Sequence, residues 1–117
     1  MKVFQFEDIK YYVGQSAKEN WELLDIAIKE NPNYIWFHLN SFASPYVIMW
    51  LSIDDLNELN INQYNQYIQY GANLCKEYSK YKYLKDIKIM YTSVNKLSKV
   101  DKLGEVDITG KYNIIKI

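Results

Sequence analysis

Arginine is absent from the 117 residues, and histidine and cysteine occur once each, as His38 and Cys75. Without a guanidinium there is no planar fork to grip a guanine or a phosphate, so sequence-specific base readout is expected to be poor. A lone thiol makes no internal disulfide and suits a reducing, cytoplasmic setting. One imidazole and one thiol are too few to suggest a zinc centre, and no glycine-rich phosphate loop or dinucleotide fingerprint is present. No apolar run approaches the ~18 residues of a membrane span, and the charged opening MKVFQFEDIK has no signal-peptide core. The expectation is a single intracellular domain spanning 1–117, not an enzyme, with no cofactor and no metal.

Four residue types dominate instead: Lys (14), Ile (14), Tyr (12) and Asn (11). All have A/T-rich codons, which points to genome composition, as in some viruses, and weakens any argument from tyrosine count. Hydrophobic residues at 49% and charged residues at 24% describe a globular chain. The formal net charge is zero, yet the charges are polarised. Residues 1–70 carry 4 Lys against 9 acids, while residues 71–102 carry 8 Lys against 3. Such a chain can hold a basic face despite a neutral total.

Along the chain, Val3–Phe6 and Ile9–Val13 read as a strand pair around Glu7-Asp8. Ser16-Ala17-Lys18-Glu19 fits a capping box, opening a helix that sets Trp21, Leu24 and Ile28 on one face and ends at Asn31-Pro32-Asn33. Tyr34–Leu39 and Tyr46–Leu51 are apolar on both faces, as covered central strands are, and their short connection predicts an antiparallel pair. Ser52 caps a single turn. Asn62 is expected to cap a longer helix with Tyr64, Tyr67, Ile68, Gly71, Leu74, Cys75 and Tyr78 in helical register. Ile87–Tyr91 predicts another strand, Asn95–Leu103 an irregular segment, and Gly110-Lys111 the turn of a terminal hairpin. The fold class is α+β, a mostly antiparallel sheet with two main helices.

Cys75 on the apolar helix face reads as a buried structural thiol, and Asp54-Asp55 as helix-start carboxylates favoured by the dipole. His38 shares a strand face with Tyr34 and Trp36. It reads either as a half-buried ring bonded to backbone or as a polar tip beside aromatic faces, where a base or phosphate could be met. The lysines from Lys76 to Lys102, interleaved with Tyr78, Tyr81, Tyr83 and Tyr91, read singly as solvated surface. Together they suit a groove that tracks phosphates and stacks bases.

Several segments resemble a known family. Tyr12-Val13-Gly14, Glu19-Asn20 with Leu23, and Ile35-Trp36-Phe37-His38 are similar to the signature of the NFACT-R domain, a strand-Gly-Asn-x-x-Leu run followed by a Trp-Phe-His strand. Ala43-Ser44-Pro45-Tyr46-Val47, Gly71-Ala72-Asn73-Leu74 with Ser79, Tyr91–Leu97 and Gly104-Glu105-Val106 look like its later segments. The likeness covers about residues 11–108 and is nearest the small stand-alone eukaryotic branch, without its coiled coil. It implies an RNA-binding module acting near tRNA or the ribosome in translation quality control. The binding positions so implied are Asn20, His38, Ser44, Ser79 and Asn95, with lysines such as Lys76 and Lys99; Lys80 and Lys82 join them from the basic stretch. Tyr46, which stands where the family has a second histidine, is counted among these binding positions, and Trp50 stands where the family often has a basic residue. The alternative reading is therefore a protein-interaction module that docks another protein or a second copy of the chain through Tyr46, Trp50 and the helix tyrosines.

Overall fold

A computed structural model describes residues 1–117. Lys2–Phe6 (β1) and Ile9–Gly14 (β2) pair residue by residue as a hairpin, turned by Glu7 at φ 56° and Asp8. Helix α1 (Ala17–Glu30) starts where the capping box predicts: Ser16 Oγ accepts from the Glu19 amide at 3.1 Å, and Glu19 Oε1 accepts from the Gln15 amide at 3.1 Å. Tyr34–Leu39 (β3) and Tyr46–Ser52 (β4) follow, then the short helix α2 (Ile53–Asn57), capped by Ser52. Helix α3 (Ile61–Glu77) comes next, with Lys88–Ser93 (β5), Leu97–Lys99 (β6), Val106–Ile108 (β7) and Asn113–Lys116 (β8) completing the chain.

Six strands form one sheet in the order β1-β2-β4-β3-β5-β8, and every neighbouring pair is antiparallel. The chain is thus α+β. β3 and β4 lie at the centre, and both sheet faces are covered, which is why these strands are apolar on both sides. On one face α3 buries Ile68, Ala72 and Cys75 against Ile35, Phe37, Val47 and Met49. On the other, α1 and the β6–β7 ribbon close over Trp36, Tyr46 and Ile48. Each fully buried Leu or Ile side chain contributes about 1.5–3 kcal/mol. Trp36 Nε1 finds no hydrogen-bond partner there, a penalty of about 1–3 kcal/mol that the surrounding packing offsets.

Three local expectations are corrected. Asn60, not Asn62, caps α3: its Oδ1 accepts from the Gln63 amide at 2.9 Å. α1 presents Asn20, Leu23, Leu24 and Ala27 to the sheet, leaving Ile28 exposed and Trp21 at the rim. The rotation follows from Asn20, whose Oδ1 must reach the Tyr46 amide in β4. No terminal hairpin forms at Gly110: β7 pairs with β6 inside the segment expected to be irregular, and β8 crosses to β5. Leu97, Val106 and Ile108 gain cover over the α1 face this way, which a β7–β8 hairpin would leave bare.

Candidate functional site

β3 ends at Leu39, and the loop that follows bends back through Ser44 into β4. Ser44 Oγ accepts from the Leu39 amide at 3.0 Å and donates to the Pro45 carbonyl at 3.0 Å, so its hydroxyl braces the loop. This places His38, the loop 40–45 and the start of α1 side by side. Two adjoining clefts result. The first, of about 510 Å³, is lined by Asn20, His38, Phe42, Ser44, Met90 and Lys102 among others. The second, of about 300 Å³, shares Ala17, Asn20, Ala43 and Ser44 with it and runs on to Ser79, Lys80 and Tyr81. Ala17 is the first residue of α1, so the positive end of that helix lies at the groove.

His38 stacks on Trp36 with ring centres 5.3 Å apart and planes 9° from parallel, and meets Tyr46 edge-on. Burial holds its pKa below the ordinary histidine value, outweighing the backbone hydrogen bond to Leu39 that pulls the other way. The ring is therefore neutral at pH 7. With Nδ1 donating to the Leu39 carbonyl at 2.8 Å, Nε2 is left as an acceptor. Such a ring greets a donor, for example a base amino group or a ribose hydroxyl, and not a phosphate.

At the junction of the clefts, Phe42 lies 42% exposed against Tyr81, centroids 4.6 Å apart. This pair is an apolar platform of the kind on which bases stack. Lys80 and Lys102 supply the positive charge, although Lys102 is paired with Glu105 at 3.2 Å. Ser79 Oγ donates to the Lys76 carbonyl and accepts from the Tyr81 amide, fixing the turn that carries Lys80 and Tyr81 to the groove.

Of the residues singled out from sequence, Asn20, His38, Ser44, Ser79 and Lys80 therefore meet at one groove. The others do not. Tyr46 is buried, and its hydroxyl donates to the Gly104 carbonyl at 2.6 Å. Gly104 sits at φ +84°, and a Cβ there would meet Ala17 Cβ at 2.7 Å, so the segment closes tightly on α1 only as glycine. Asn20 is a clamp between α1 and β4, with Gly14 leaving it room: a Cβ on Gly14 would stand 2.4 Å from its Oδ1. Asn95 braces the far end of β5, bonding Asn33 and Ser93. Lys99 is held by Asp25 at 2.7 Å and lies over the Trp21 ring. Lys82 covers Tyr83, and neither Lys82 nor Lys76 lines either cleft. The lysines of 71–102 radiate from several elements, so the basic stretch is no single trough. Cys75 is buried, its thiol pushed up to about 12 by desolvation, and it contacts Ser44 Oγ at 3.6 Å as a core thiol. No three His, Cys, Asp or Glu side chains are placed to hold a metal ion. Trp50 is half-buried between Tyr12 and Tyr34. No helix is long and apolar enough to cross a membrane.

Sequence reasoning passed over Phe42, Tyr81 as its stacking partner, and the α1 N-terminus. The signal for Phe42 was present: it is the one large apolar residue in the loop 40–45.

No family model matches the chain, and no curated protein matches it. Among solved structures it is similar to the C-terminal region of the fibronectin/fibrinogen-binding protein from Streptococcus suis, with a TM-score of 0.76 and 19% identity. The match covers 93% of this chain and 40% of that one, so the chain spans about two-fifths of its neighbour's length. What the two share, at that identity, is the fold.

Proposed function

We propose that the chain is a non-catalytic RNA-binding module, acting on tRNA or ribosome-associated RNA, and that it holds a short single-stranded segment in the groove between β3, α1 and the end of α3. The observation that carries this is convergence. His38, Ser44, Ser79 and Lys80 come from positions up to 42 residues apart, yet line one groove with an exposed aromatic pair. The sequence resemblance to NFACT-R domains singles out His38, Ser44 and Ser79 independently. A base stacks on Phe42, its donor edge or the ribose hydroxyl meets His38 Nε2, and a phosphate sits by Lys80 near the α1 N-terminus. The test is anisotropy with a labelled single-stranded RNA and two charge reversals. Lys80→Glu weakens binding, while Lys29→Glu, in the last turn of α1 at the opposite end of that helix from the groove, leaves it nearly unchanged. Equal effects of the two would contradict the groove.

A second reading, a protein-interaction module, has two observations in its favour. The structural neighbour is described as a fibronectin/fibrinogen-binding protein. The half-buried Tyr12–Trp50–Tyr34 cluster also lies away from the groove. Self-association through that cluster would give twice the monomer mass in light scattering, and Trp50→Ser would abolish it.

A further inference from the structure

At the opposite end of β5 from His38, between α3 and the start of β8, lies a cleft of about 380 Å³. Lys96 and Lys111 both line it, and no carboxylate does. Neither lysine is in a salt bridge; Lys96 Nζ donates only to the Lys111 carbonyl, at 3.3 Å, which leaves protons of both ammoniums free. Two like charges sharing a concave surface without an acid repel each other and concentrate anions. Deeper in the cleft, the hydroxyls of Tyr64 and Tyr91 face each other at 3.2 Å. Two hydroxyls joined by one hydrogen bond use one of their two protons, so the second O–H has no acceptor within the chain. Burial keeps the Tyr91 phenol well above its ordinary pKa, so it remains a donor at neutral pH. Half-exposed Tyr112 stands at the rim.

We infer that this cleft is a second, separate site that takes the phosphate group of a small phosphomonoester, held by Lys96 and Lys111 with the spare phenolic proton of the Tyr64–Tyr91 pair. Phosphate fits better than carboxylate because it offers three acceptor oxygens and about two negative charges to a site with two cations and several donors. The site is independent of the His38 groove.

Titration of the intact protein with inorganic phosphate, AMP and acetate at low ionic strength, followed by calorimetry, tests it. Phosphate and AMP bind, and acetate binds at least about tenfold more weakly, as expected when one charge replaces two. The double variant Lys96→Gln/Lys111→Gln, exposed positions whose loss leaves the fold intact, weakens phosphate at least about tenfold, as removal of two charge-assisted contacts implies. Tyr64→Phe, with unchanged circular dichroism, weakens it severalfold. His38→Gln and Lys80→Glu leave it unchanged. No heat with phosphate raised to about 10 mM, where even a site of millimolar affinity is mostly filled, acetate binding as tightly as phosphate, or loss of binding in Lys80→Glu would each overturn the assignment.

Discussion

The scatter of the lysines turns the RNA-binding proposal into a number, through its response to salt. Each phosphate neutralised on a single strand releases condensed counterions and steepens the dependence of log affinity on log salt by about 0.7. If all eight lysines of 71–102 tracked a backbone, raising salt from 50 to 200 mM would weaken binding by about 2,000-fold. Only Lys80 and Lys102 line the groove, and Glu105 offsets Lys102. One to two phosphates are then engaged, and the same change of salt should weaken binding only roughly 3- to 7-fold. Anisotropy of a fluorescein-labelled 8-mer RNA across a potassium chloride series measures the slope. A slope near −1 agrees with the groove. A slope steeper than about −3 requires lysines that the fold points elsewhere, and would refute the geometry on which the reasoning stands.

Three further outcomes follow from named contacts. Phe42→Ala removes an exposed stacking face, so affinity for RNA should fall by about 1–3 kcal/mol while the melting temperature barely moves. Gly71→Ala places a Cβ 2.4 Å from Phe37 Cζ, and urea titration should show a loss of about 1–3 kcal/mol net of the helix propensity gained. His38 has a folded-state pKa below its unfolded one, so the fold favours the neutral ring. Its contribution is fully present above the unfolded value near 6.5 and is lost as pH falls through the folded value. Urea midpoints of the wild type should therefore drop between pH 7 and pH 5 more than those of His38→Gln; parallel curves would mean that the imidazole titrates freely.

What was legible in the sequence was local. Ser16 and Ser52 cap the helices they precede, and the apolar β3 and β4 sit at the sheet centre, because caps and two-sided hydrophobicity act within a few residues. What was not legible depended on distant partners. Gly110-Lys111 has the composition of a hairpin turn, yet β7 covers α1's face with β6 while β8 pairs with β5. The pairing is decided by which apolar surface needs cover, and that surface belongs to residues more than 60 positions away. The same holds for the site. The run from Lys76 to Lys102 is contiguous in sequence, but it passes through a helix end, a loop, a strand and a ribbon that face different ways. Tyr46 and Asn95 fall at positions of a motif while serving as struts, because hydroxyls and amides suit a clamp as well as a ligand.

The claim that matters most is that RNA occupies the groove between His38, Phe42 and Lys80. Its most direct test is a 15N-resolved NMR titration of the protein with a short single-stranded RNA. Shifts should cluster on Ala17, His38, Phe42, Ser44 and Lys80, while β1 and the Tyr12–Trp50–Tyr34 cluster stay silent. Shifts centred on that aromatic cluster, or none at saturating RNA, would contradict it.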